Sequence, residues 1–245
     1  MSGHSKWASI KHKKGAADAK RGKIFSKLAK EITVAAKQGG GKVDMNPKLR
    51  MIIQKAKDNN MPADNIDRAI KKGTGELPGV VYEEITYEGY GPGGIAVLIE
   101  ALSENKNRTT AEVRNIFERK HGNMAGQGAV AWQFQKKGYI VIRKASSDEE
   151  KLMSLVLDAG AQDLKTEGDF YEITSDVKDF ERVRKAIEDQ GIALESAEVT
   201  MLPQSTIRVE GDNAKSVLAL VEGLEELDDV QNVYSNFDIP DDQMK

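Results

Sequence analysis

The chain has no cysteine. That excludes disulfides, thiolate metal sites and a cysteine nucleophile, and it suits a reducing compartment. Histidine is scarce: His4, His12 and His121 are the whole set. The first two share one basic segment with no third ligand nearby, so no zinc site is expected. His121 stands where a helix is expected to end, a common capping position. No run approaches the roughly eighteen apolar residues of a membrane span. The N-terminus lacks the apolar centre of a secretory signal, so a cytoplasmic protein without a membrane partner is expected. No Walker-type phosphate loop occurs. GYGPGG at 89–94 matches G-x-G-x-x-G. A β-branched run, IAVLIEAL, follows it where a dinucleotide site needs a helix, so it reads as a hairpin turn. No pair of carboxylates stands out as catalytic. The acid runs DEE (148–150) and EELDD (225–229) read as solvated helix faces and ends. No enzyme, cofactor, metal or small-molecule substrate is expected.

What is present is segregated charge. The net charge is −3, yet residues 1–75 hold 18 Lys and Arg against 6 Asp and Glu. Residues 76–102 carry five acids and no base, residues 103–144 nine bases against three acids, and residues 145–245 nine bases against 25 acids. A cationic leading end can meet a polyanion that the acidic remainder repels.

The spacing of apolar residues predicts a flexible basic arm over 1–22, with too little apolar surface to offset ordering. A helical bundle follows over 23–75. In its first helix (21–38), Phe25, Leu28, Ile32 and Ala36 make one stripe. Gly39-Gly40-Gly41 ends that helix, Asn46-Pro47 opens a second and Met61-Pro62 a third, closed by Lys71-Lys72-Gly73. After the linker GTGELPG the period changes to two. Strands are expected at 81–87 and 95–102, a helix opened by the box Thr109-x-x-Glu112, a Gly-rich loop GNMAGQG, and an alternating strand Val130, Trp132, Phe134. Residues 136–203 spell βαββαβ, the ferredoxin-like arrangement. The strand–helix–strand that follows (204–240) completes a sheet begun by 80–135. The expected fold is α+β and multidomain: a three-helix bundle, then two ferredoxin-like α+β domains, one inserted in the other.

The arm holds Lys6, Lys11, Lys13, Lys14, Lys20, Arg21 and Lys23, with Trp7, His4 and His12 between them. Lysines neutralise phosphates with counterion release, and indole or imidazole rings stack on exposed bases. A solubilising tail has no use for a tryptophan. The candidate nucleic-acid-binding residues are therefore Lys6, Trp7, Lys11, His12, Lys13, Lys14, Lys20, Arg21, Lys23 and Lys27. Arg108 and Arg114 join them from a second cationic set that also includes Lys106, Arg119, Lys120, Lys136 and Lys137. No dimerisation element is evident, which favours a monomer.

The sequence resembles the YebC family (YebC/PmpR) through GHSKWASIKHKK, DAKRGKIFSKL, NNMP, YEGYGPGG, G-GAVAWQF and SAEVTMLP, and the likeness runs end to end. The resemblance implies an N-terminal helical bundle with two ferredoxin-like domains, and a non-enzymatic cytoplasmic protein. Many members are described as DNA-binding regulators of transcription. Others resemble factors that act on ribosomes, including during elongation through proline runs, and mitochondrial relatives are translational activators. Duplex DNA and ribosomal RNA are thus both expected partners. The residues themselves offer no Asn, Gln or Arg array of the kind that reads a major groove.

Overall fold

The computed structural model describes residues 18–240. Three helices come first: α1 (Asp18–Gly39), α2 (Pro47–Asp58) and α3 (Ala63–Thr74). Helix α1 thus starts at Asp18, inside the stretch expected as arm. Leu28, Ile32, Ala35 and Ala36 of α1 pack against Leu49, Ile53 and Ala56 of α2 and Ile66 and Ala69 of α3. Asn46 joins the first two helices. Its side chain accepts from Leu49 N (3.1 Å) as the α2 cap and donates to Ala35 O and Gly40 O (both 2.9 Å). One buried amide thereby ends α1 and begins α2. Gly73 does not close α3; the left-handed residue there is Gly75. Gly73 instead lets α3 approach α1, since a Cβ on it would overlap Thr33 O.

The first sheet has strand order β3-β1-β2-β9, all antiparallel, with β1 at Glu83–Tyr90, β2 at Ala96–Ser103, β3 at Asn123–Ala125 and β9 at Val230–Ser235. Helices α4 (Lys106–Arg119) and α7 (Gly211–Glu225) cover one face. They meet Val97, Ile99 and Ala101 of β2 through Val113, Phe117, Val217, Leu220, Val221 and Leu224. Ala96 and Leu98 face the other way, onto Val130, Phe134 and Tyr234. Strand β2 is therefore buried on both faces, as its continuous apolar run requires.

The second sheet comes wholly from residues 134–203. Strand β4 (Phe134–Arg143) precedes α5 (Glu149–Asp158), β5 (Ala161–Glu167), β6 (Phe170–Ser175), α6 (Phe180–Asp189) and β7 (Leu194–Pro203). Its order, β5-β6-β4-β7 with antiparallel neighbours, is the split βαβ arrangement. A short parallel pair, β8 (Ile207–Arg208) with β10 (Phe237–Asp238), ties the returning chain together.

Four local expectations change. The cap of α4 is Asn105, which accepts from Arg108 N; Asn ranks with or above Thr as a cap, and Thr109 is buried and bonded elsewhere. Strand β3 lies inside the stretch expected as Gly-rich loop. The expected strand Val130–Phe134 is a 3-10 turn over Ala131–Gln133. The backbone N–H groups of Gly128, Val130 and Ala131 all donate to the buried Glu88 carboxylate (2.6, 2.6 and 2.8 Å) and are not available to a ladder. Lys136 and Lys137 lie within β4 rather than after a strand, and Lys137 donates to Asp176 (3.1 Å) and Gln162 (2.7 Å).

Candidate nucleic-acid interface

Helix geometry places Lys23, Lys27 and Lys30 on one face of α1. That face meets the C-terminal end of α7. Lys23 Nζ donates to Glu226 O and lies 3.7 Å from Asp228. Lys27 Nζ donates to Glu225 O (2.8 Å) and Lys30 Nζ to Asp228 O (3.0 Å). The last carbonyls of a helix lack intrahelical partners and carry the negative end of its dipole, so ammonium groups stabilise them.

The centre of this junction is Asp229. Its carboxylate accepts from Lys30 Nζ (2.7 Å), Thr109 Oγ1 (2.7 Å), Arg108 Nη2 (2.8 Å) and Ser103 Oγ (3.0 Å). Burial alone would raise its pKa; the four donors outweigh that and hold it well below the usual carboxylate range. This corrects the reading of 225–229 as solvated throughout. The last acid of EELDD is buried because β9 starts at Val230 and carries the preceding residue under α1 and α4. Sequence gave no signal for it beyond the acid itself, since its donors lie up to 199 positions away. Beside it opens a cleft of about 600 Å³ whose lining includes Lys23, Lys30, Tyr82, Glu104 and Arg108. Lys30 Nζ lies 5.6 Å from the Tyr82 ring centre. Burial first, then Glu104 and Asp229, push the Tyr82 hydroxyl pKa up.

The sequence candidates therefore divide. Lys6, Trp7, Lys11, His12, Lys13 and Lys14 lie outside the described residues. Lys20 and Arg21 are in the first turns of α1, and the Lys20 side chain is likewise outside the description. Lys23, Lys27 and Arg108 come together, but on protein carbonyls and a carboxylate. Arg114 stands exposed on α4 and makes no ion pair among the described residues. The same holds for cations that sequence reasoning did not single out: Lys37, Lys42, Lys57, Arg68, Lys71 and Lys72, all exposed on the bundle. Their signal was the charge balance of the first 75 residues. Among the described residues, no cluster of His, Asp and Glu is placed to hold a metal ion, and no helix is long and apolar enough to cross a membrane.

Residues 5–76 match the model described as the TACO1/YebC protein N-terminal domain, and residues 82–237 match TACO1/YebC second and third domain. The chain belongs to the TACO1/YebC family. The gap between the two TACO1/YebC matches falls between α3 and β1. A probable transcriptional regulatory protein of Desulforapulum autotrophicum is 59% identical over 99% of this chain and 98% of its own. One from Natranaerobius thermophilus is 58% identical over 100% and 99%. A crystal structure of a conserved hypothetical protein from Aquifex aeolicus has a TM-score of 0.82 and 43% identity, covering 93% of this chain and 94% of that one. The Aquifex aeolicus structure thus shares the fold over nearly all of this chain, and the sequence relatives are named as probable transcriptional regulatory proteins.

Proposed function

We propose that this protein is a cytoplasmic, non-enzymatic, nucleic-acid-binding regulator of gene expression, acting first as a DNA-binding regulator of transcription. The observation that carries the reading is the division of its cations. Lys23, Lys27, Lys30 and Arg108 are occupied in docking α1 onto the α7 end. Lys37, Lys42, Lys57, Arg68, Lys71 and Lys72 of the bundle face solvent without an ion pair among the described residues, and four further lysines precede α1 in the sequence. Cations without protein partners are the ones free to displace counterions from phosphates. The names of the relatives support the regulatory role.

A second reading, a translation factor that binds ribosomal RNA, is favoured by one feature: Trp7 among the leading lysines. An indole gains more on unpaired bases than on a duplex backbone. The two readings part in one experiment on the full chain: binding to duplex DNA fragments, set against co-sedimentation with ribosomes. Sequence-selective duplex binding without ribosome association supports the first. Ribosome association with only weak, unselective duplex binding overturns it in favour of the second.

A further inference from the structure

Among the described aromatic residues only two are exposed, Tyr90 at 38% and Trp132 at 70%. They are also neighbours. Tyr90 Oη and Trp132 Nε1 each donate to the same carbonyl, Ala129 O, both at 3.1 Å. The backbone beneath is fixed from several sides. Glu88 takes three N–H groups of the loop, Gln204 Nε2 donates to Trp132 O (2.7 Å), and Gln204 N donates to Gln133 O (2.8 Å). A buried carboxylate is an expensive way to hold a loop unless the loop's shape matters. With both ring donors already satisfied inside the protein, little polar capacity remains for a partner. What remains is flat π surface, held rigidly in water.

The surroundings indicate what would lie on it. Tyr90 pairs in register with Asn123, which follows Arg119, Lys120 and His121 at the end of α4. Arg119 and Lys120 make no ion pair among the described residues. Gly126 and Gly128 leave open space where side chains would stand. A protein-binding hot spot is surrounded by contacts that exclude water; here Gly126 and Gly128 leave the loop open, and Arg119 and Lys120 come shortly before Asn123 in the chain. Flat rings with basic groups alongside are the elements of a single-strand binding surface.

We propose that Tyr90 and Trp132 form a stacking platform for unpaired bases of a single-stranded nucleic acid, with Arg119 and Lys120 meeting the adjacent phosphates. This rests on the reading of the chain as a nucleic-acid-binding protein, and it adds a contact made by residues outside the basic arm.

The test uses the full chain carrying Trp7→Phe, which leaves Trp132 as the sole tryptophan. Short oligouridylate, oligothymidylate and a duplex are titrated against indole emission, and a labelled copy of each strand reports affinity. Single strands should quench Trp132 saturably, and Trp132→Ala should weaken them roughly ten- to hundredfold. Duplex affinity should stay unchanged. Trp132→Phe should recover most of the loss, and Tyr90→Ala should reproduce part of it; these two decide the matter should Trp132→Ala unfold. RNA binding tighter than DNA binding would name the source of the bases. Single-strand affinity unaltered by Trp132→Ala overturns the platform while leaving nucleic-acid binding intact. Quenching by a proline-rich peptide but by no strand assigns the rings to a protein partner and also overturns it. Failure of both this parent and the unsubstituted chain to bind any strand or the duplex at low salt overturns the platform and the functional reading together.

Discussion

Replacing Asp229 with Asn keeps side-chain volume and opens no cavity, so its effect isolates the charge at the junction of α1, α4 and β9. The carboxylate is only 5% exposed and receives four hydrogen bonds, two of them from cations. Of these, Lys30 is sheltered at 16% exposure, while Arg108 is 46% exposed and can rehydrate. Removing one member of a buried ion pair costs about 3–5 kcal/mol because the other is left uncompensated. Discounting Arg108 for solvent screening puts Asp229→Asn near the lower end, about 3 kcal/mol. That is a large share of the roughly 5–15 kcal/mol that keeps a domain folded. Urea unfolding followed by far-ultraviolet circular dichroism measures it directly. A double-mutant cycle with Lys30→Met should return a coupling of about 1–3 kcal/mol, and one with Arg108→Gln a smaller value. A loss under about 1 kcal/mol, or a zero coupling with Lys30, would refute the account of this junction.

Three further outcomes follow from the same geometry. Asp229 and Glu88 both have carboxyls held below their ordinary pKa: burial opposes this, but hydrogen bonds from side chains and from loop N–H groups respectively prevail. Stability should be level above about pH 5 and fall as pH drops below about 4, where these groups protonate first in the unfolded chain; a flat acid limb in urea midpoints would contradict this. Asn46→Ala removes the α2 cap and the amide donor to Ala35 O and Gly40 O, so it should cost about 2–3 kcal/mol in the same assay, and a change within error would show that water replaces the amide freely. Gly73→Ala, an ordinarily stabilising change in a helix, should destabilise by about 1–3 kcal/mol through overlap with Thr33 O; a rise in the thermal midpoint would show that α1 and α3 can separate without loss.

Much of the architecture was legible because it is local. The stripe Leu28, Ile32, Ala36 recurs at helical spacing and is buried. The paired glycines after Pro92 adopt positive φ (75° and 78°) where the chain reverses. The order βαββαβ could be spelled out residue by residue because each of its elements carries its own period. Illegible features depended on distant partners. Val130, Trp132 and Phe134 alternate like a strand, but a carboxylate on β1 takes the N–H groups that a ladder would have used. Thr109 has the form of a cap, yet its hydroxyl is bound to Asp229. The candidate interface divides in the same way. Charge at Lys23, Lys27 and Arg108 could be read directly, whereas their engagement with the end of α7 depends on residues about 120 to 200 positions away. Exposure of Lys71, Lys72 and Arg68 follows from the face of α3 that Ile66 and Ala69 do not use.

On the proposed function, the lysines ahead of α1 in the sequence and the exposed cations of the bundle meet a phosphate polymer. The slope of log affinity against log salt reports it most directly, compared between the full chain and one lacking residues 1–17, on duplex DNA and on ribosomes. Each duplex phosphate contact contributes about 0.9 to that slope. Loss of Lys6, Lys11, Lys13 and Lys14 should therefore flatten it by up to about 3.6 on duplex, and clearly on ribosomes. Lys23→Gln with Lys27→Gln should leave it unchanged. An equal slope and equal affinity for the shortened chain on both partners would contradict the claim.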